Sequence, residues 1–307
     1  MGHHVSDLRV AVVGTGRMGA AMAARLRTCG ADVVVHNRTG SRAAAVAAAT
    51  GATVAETPRQ AAAAADVVLV SLADDAACVE AYGGEDGIVA GLSPASVVAD
   101  TSTVGPWTSR RLGALVGEHD AGMLDAPVSG SVSLVERGEL TVMVGGAADD
   151  LDRARPVLDL LAGRIVHVGP TGAGASMKLA VNAIVHALNQ ALAEALVLAE
   201  RSGVDRGTAY GIFAASVVGG PFVQYKRAAF EDPDGTPVAF SLDLVAKDLD
   251  LVLELASQVG LRMRQAEVNR AEVAAAVAAG LGQRDMSTLA AVLRGMSVQH
   301  SDVPDGS

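Results

Sequence analysis

The 307-residue chain predicts an α/β fold: a doubly wound, mainly parallel sheet, then an all-α domain entered through a long helix. Three observations carry this. Up to residue 168, short β-branched runs alternate with alanine-rich helical stretches, the pattern of a parallel sheet with helices on its faces. After Gly169-Pro170 the strand signals stop. Residues 176–202 then read as a single helix. The expected boundaries are 1–170 for the first domain, 171–300 for the helical one, and a polar tail over 301–307 that frays.

The elements follow in order. Residues 9–13 form a short β-rich run that ends in Gly14-Thr15-Gly16-Arg17-Met18-Gly19. A helix over 18–29 stops at Gly30, and a second strand spans 32–36. Alanine, the best helix former, fills 41–50 and 61–65. Further strands are expected at 66–72, 96–100, 122–128, 141–145 and 164–168, with helices near 106–118 and over 149–161. Beyond the long helix, shorter ones are expected at 206–215, 242–259, 262–279 and 287–296. Residues 216–236, with Gly219-Gly220-Pro221 and a turn-rich stretch at 232–235, read as a mobile loop.

Composition narrows the function. Half the residues are hydrophobic and only 3% aromatic, so small side chains must pack the helices closely. A net charge of −10 argues against nucleic acid or an anionic membrane surface as a partner, while leaving room for a local phosphate or carboxylate site. Cys29 and Cys78 have neither disulfide-framework nor zinc-site spacing and read as reduced thiols of a cytoplasmic protein. Residues 1–7 lack the apolar core of a signal peptide, and His3 and His4 receive no role. The long helix carries Asn182, His186, Asn189, Gln190 and Glu194, too many polar groups for a membrane span. No metal site is expected.

The glycine motif follows a strand and opens a helix. Gly14 permits the tight turn, Gly16 lets a pyrophosphate approach the backbone, and Gly19 lets helix and strand pack closely. The helix start, Arg17-Met18, offers unpaired N–H groups to phosphates. This predicts a Rossmann dinucleotide site. After the second strand stand Asn37, Arg38 and Thr39, with Arg42 close behind. No carboxylate is there to bind a ribose 2′-hydroxyl, and a guanidinium with hydroxyls suits a 2′-phosphate, so NADP is favoured over NAD. The alternative for Arg38 is a solvated surface charge.

Ligands of such sheets gather at the carboxyl ends of strands. Leu72-Ala73-Asp74, Asp100-Thr101-Ser102-Thr103 and Asp125-Ala126-Pro127-Val128-Ser129-Gly130-Ser131 fall there. Each alone reads equally as a turn or helix cap. Lys178 and Asn182, four positions apart, share one face of the long helix. That helix is apolar on almost every side, so the ammonium is expected to be buried and its pKa lowered toward the range where it exchanges protons. A structural lysine at a domain junction is the alternative.

These motifs together resemble the β-hydroxyacid dehydrogenases, the group containing 3-hydroxyisobutyrate dehydrogenase, tartronate semialdehyde reductase and glyoxylate/succinic semialdehyde reductases. The resemblance rests on Val12 through Gly19, Asp125 through Gly130, Gly172 through Asn182, and Lys247-Asp248-Leu249, and covers nearly the whole chain. It implies a C-terminal domain like that of 6-phosphogluconate dehydrogenase. It implies Lys178 as general acid/base and Asn182 as the residue orienting it or the substrate. Ser129 and Gly130 would hold a substrate carboxylate, and Thr103 would stand near nicotinamide and substrate. Leu72 and Ala73 would line the cofactor. Lys247 would close over it, supported by Asp248. His186 and Asn189 continue the polar stripe and read as a satisfied interior or interface patch. A homodimer or homotetramer is implied, which the excess apolar surface of the long helix also favours. The chain departs from the family pattern in two places: Ser131, then Leu134 and Val135, stand where a third glycine and small residues are usual, which makes that loop bulkier, and Val181 stands where a first asparagine is common. An imine reductase and a non-catalytic cofactor-binding interaction protein are the alternatives; Lys178 disfavours the former and the Lys178–Asn182–Ser129 set the latter.

Overall fold

The computed structural model describes residues 8–295. The N-terminal segment, the polar tail and the end of the last expected helix therefore lie outside the described residues. The chain divides into two compact units, Met1–Ala180 and Val181–Ser307.

The first unit is built on one sheet. Strands β1 (Arg9–Val13), β2 (Asp32–His36), β3 (Thr53–Val54), β4 (Val67–Val70), β5 (Val97–Asp100) and β6 (Gly122–Asp125) run parallel in the order β3-β2-β1-β4-β5-β6. This is the doubly wound order expected of a dinucleotide fold. The run expected as a single strand over 122–128 breaks at Ala126-Pro127 into β6 and β7 (Val128–Ser129). Both pair antiparallel with β8 (Leu140–Gly146), and β9 (Ala162–Gly169) pairs parallel with β8.

The central strands β1, β4, β5 and β6 are buried on both faces, and alternate residues feed two cores. Val10, Val12, Val33, Val35, Leu69 and Leu124 face one core with helices α1 (Arg17–Thr28) and α2 (Gly40–Thr50). Ala11, Val13, Val68, Val70 and Val98 face the other, with α3 (Pro58–Ala63), α4 (Asp75–Tyr82) and α5 (Pro106–Gly117). Asp74 caps α4 by accepting from the Ala77 N–H at 2.8 Å, a start that the sequence pattern does not bring out. Helices α6 (Val132–Arg137) and α7 (Ala148–Leu158) complete the first core.

Helix α8 (Ala173–Arg201) begins in the first unit and continues into the second. It is long and apolar enough to cross a membrane by length and composition. Two of its side-chain amides are bonded within the second unit: Asn189 donates to the Met286 carbonyl at 3.0 Å, and Gln190 donates to Glu194 at 2.8 Å. The helix is not buried all round. Ile184 is 70% and Leu198 69% exposed.

The second unit also holds α9 (Arg206–Ala215), α10 (Pro221–Glu231), α11 (Leu242–Gln258), α12 (Arg264–Ala276) and α13 (Leu289–Gly295). The stretch read as a mobile loop contains α10, which corrects that expectation. Pro221 takes the first helical turn, where its missing N–H is harmless. Val223, Lys226, Ala229 and Phe230 form the buried stripe, so a lysine interrupts the apolar periodicity. Lys226 is tolerated there because its Nζ donates to both oxygens of Asp285, at 2.7 and 2.8 Å.

Candidate active site

The parallel strands of the first unit bring residues 14–19, 37–39, 71–73, 101–103 and 125–130 to one edge of the sheet. At the β1–α1 turn Gly14 has φ +97°, and a Cβ there would collide with the Ser71 carbonyl oxygen. A Cβ on Gly19 would collide with the Gly14 carbonyl oxygen, whereas one on Gly16 would meet open space. No side chain caps α1, so the N–H groups of its first turn, beginning at Arg17 and Met18, face outward from the sheet end. The Thr15 hydroxyl is buried without a hydrogen-bond partner among the described residues. An orphaned hydroxyl, uncapped N–H groups and open space over Gly16 fit a dinucleotide pyrophosphate. Gly19→Ala is expected to abolish cofactor binding in a fluorescence titration, because the turn must open to admit the methyl group.

Asn37 ties this turn to the segment that follows β2. Its Oδ1 accepts from the Thr15 N–H at 3.0 Å, and its Nδ2 donates to the Thr39 carbonyl at 3.1 Å. Arg38 is exposed, as are Thr39 and Arg42, and its guanidinium donates to Glu80 of α4 at 2.9 Å.

The floor beside the turn is a hydrogen-bonded lattice. The Leu72 N–H donates to Ser102 Oγ at 2.9 Å, and the Thr101 hydroxyl donates to the Val70 carbonyl at 2.7 Å. Asp100 accepts from the Ser102 N–H at 2.9 Å and from the Tyr82 hydroxyl at 3.0 Å. Burial raises the Asp100 pKa despite these donors. Leu72 and Thr103 are half-buried and Ala73 is exposed. Tyr82 carries no sequence signal for this role; only the fold brings it beneath Asp100.

At the end of β6 the Asp125 carboxylate accepts from the Gly172 and Ala175 N–H groups, both at 2.8 Å. Ser129 is half-buried, Gly130 is exposed with φ +147°, and Leu134 and Leu140 pack beneath Gly130. Lys178 follows in the second turn of α8 and is half-buried, not buried. The difference has a visible cause: its neighbours Met177 and Ala180 face solvent, so this part of the helix is covered on one side only.

In the second unit Asp248 is fully buried. It accepts from Asn182 Nδ2 at 2.6 Å, while Lys247 Nζ stands 2.9 Å from its Oδ1 and His186 Nε2 3.4 Å from its Oδ2. Burial alone would raise the Asp248 pKa, but His186 and Lys247 outweigh it and hold the carboxyl below its ordinary value. Asn182 thus spends one of its two amide N–H groups on Asp248.

Comparison with known proteins gives the following. Residues 9–169 match the family model described as the NAD binding domain of 6-phosphogluconate dehydrogenase, and residues 172–293 the one described as NAD-binding of NADP-dependent 3-hydroxyisobutyrate dehydrogenase. The chain is 35% identical to an NAD-dependent L-serine dehydrogenase of Pseudomonas aeruginosa, over 81% of this chain and 85% of the relative. It is 30% identical to 2-(hydroxymethyl)glutarate dehydrogenase of Eubacterium barkeri, over 95% and 96% of the two chains. Among solved structures, Mycobacterium tuberculosis 3-hydroxyisobutyrate dehydrogenase with L-serine superposes with a TM-score of 0.80 at 32% identity, covering 94% of this chain and 99% of that one.

Proposed function

The chain belongs to the β-hydroxyacid dehydrogenase family of NAD(P)-dependent oxidoreductases, and on that premise we propose that it interconverts a short β-hydroxy acid and its semialdehyde, with NADP as cofactor and Lys178 as proton carrier. The observation that carries the reading is the shared sheet edge. Five parallel strands end there, and the start of the helix bearing Lys178 is hydrogen-bonded to the last of them through Asp125.

When bound, the nicotinamide supplies or accepts the hydride. The protein's part is binding, orientation and proton transfer. Ser129 and the Gly130 N–H take the substrate carboxylate, as a hydroxyl and an exposed backbone donor can. Lys178 donates a proton to the carbonyl oxygen during reduction and removes it from the hydroxyl during oxidation. Asn182, itself held by Asp248, is assigned the role of orienting Lys178 or the substrate. Thr103 lines the place where substrate and nicotinamide meet, and Lys247 is assigned to the cofactor. The smallest relatives' substrates are the guide to size: L-serine is itself a short 3-hydroxy acid.

The preference for NADP rests on Arg38 and Thr39 and on the absence of a carboxylate at 37–39. A charge-assisted hydrogen bond to the 2′-phosphate contributes about 1.5–3 kcal/mol, or roughly 10- to 10²-fold in affinity. Initial rates with NADPH and NADH against short semialdehydes, with cyclic imines alongside, test both parts. NADPH should exceed NADH in kcat/KM by about tenfold or more. NADH at parity overturns the cofactor assignment, and turnover of imines alone overturns the substrate class. The second copy of the chain that would cover Ile184 and Leu198, as a homodimer or homotetramer, belongs to the same proposal, as does a reducing, cytoplasmic setting for the free thiols Cys29 and Cys78.

A further inference from the structure

Asp125 has no part in the chemistry proposed above, yet it is 2% exposed and spends both carboxylate oxygens on one helix start. Oδ1 accepts from the Gly172 N–H, the residue before α8, and Oδ2 from the Ala175 N–H, its third residue, each at 2.8 Å. Lys178 follows Ala175 by three residues, less than one helical turn. The backbone is shaped for this grip. Gly172 has φ +94°, which suits glycine. A Cβ on Gly174 would collide with the Asp125 carbonyl oxygen, and one on Gly145 with Asp125 Oδ1. Any side chain at these two positions would push the helix start away from β6 and β8.

We propose that Asp125 is a positioning residue for Lys178: by pinning the first turn of α8 to the end of β6, it fixes where the amine stands along the sheet edge. The proposal rests on Lys178 being the acid/base of the reaction proposed above. A carboxylate on the unpaired N–H groups of a helix start also stabilises the helix through its dipole. That purely structural role would lower the melting temperature and leave the chemical step untouched. Positioning makes a different demand, since a displacement of about 1 Å at the reacting group costs about 10²-fold in rate.

Asp125→Asn keeps the shape and one acceptor oxygen but turns an amide N–H toward a backbone N–H. The expected result is a fall in kcat of about 10²-fold with NADPH affinity unchanged. In a Lys178→Ala background the same change should bring no further loss, because the two residues act as one unit. A wild-type kcat in Asp125→Asn, or a loss repeated in full without Lys178, overturns the proposal. Hydrogen exchange on the unaltered enzyme gives an independent reading should the variant not fold. Amides of Gly172 and Ala175 that exchange as slowly as the middle of α8 support the grip, and rapid exchange there refutes it. Full turnover by Lys178→Ala alone instead refutes the acid/base role of Lys178, so the two failures are told apart.

Discussion

Lys178→Ala is expected to lower kcat by about 10²- to 10⁴-fold, the usual contribution of a positioned general acid or base. NADPH binding should survive, because the residues proposed to hold the cofactor's phosphates lie at the β1–α1 turn and after β2, on other elements than α8. Pre-steady-state measurement separates the outcomes: the burst of NADPH oxidation should slow in step with kcat. Retention of most of the turnover by a folded, cofactor-binding variant would remove the proton-transfer role.

The largest stability effect is expected at Asp285. Its carboxylate receives Lys226 Nζ on both oxygens and also accepts the N–H groups of Ala239, Phe240 and Ser287 at 2.9, 3.1 and 3.0 Å. Lys226 is 1% and Asp285 2% exposed. Asp285→Ala leaves a buried ammonium without its counter-charge and should destabilise the protein by about 3–5 kcal/mol. Urea unfolding at constant m-value measures this. The Lys226→Met, Asp285→Ala pair should recover part of the loss, because no charge is then stranded. The acid response has a definite sign. Burial alone would raise the Asp285 pKa, but Lys226 and the backbone donors outweigh it and hold the carboxyl below its ordinary 3.8. Its contribution is therefore complete above that ordinary value and is lost as the pH falls through the lowered one.

Much of the nucleotide half could be read from residue types alone. Gly14, Gly16 and Gly19 announce their geometry because backbone packing tolerates nothing larger at two of them. The alternation of β-branched runs with alanine-rich helices dictates the parallel order, because strands covered on both faces need helices between them. What stayed hidden depends on partners distant in sequence. Lys226 breaks the periodicity of α10, and only Asp285, far along the chain, explains it. Tyr82 serves Asp100 from a helix whose cap, Asp74, is common in ordinary turns. The degree of burial of Lys178 was not legible either, since apolar neighbours on a helix do not say which of them another element covers.

Asn37 links two tasks that are usually discussed apart. One side chain secures the β1–α1 turn through Thr15 and shapes the segment after β2, proposed above to meet the ribose, through Thr39. An acidic replacement, the obvious route to altered coenzyme choice, would retain an acceptor for Thr15 but set an oxygen against the Thr39 carbonyl. On the cofactor reading proposed above, an exchange at Asn37 aimed at the coenzyme would therefore disturb the turn as well, whereas Arg38 is bonded to Glu80 of α4.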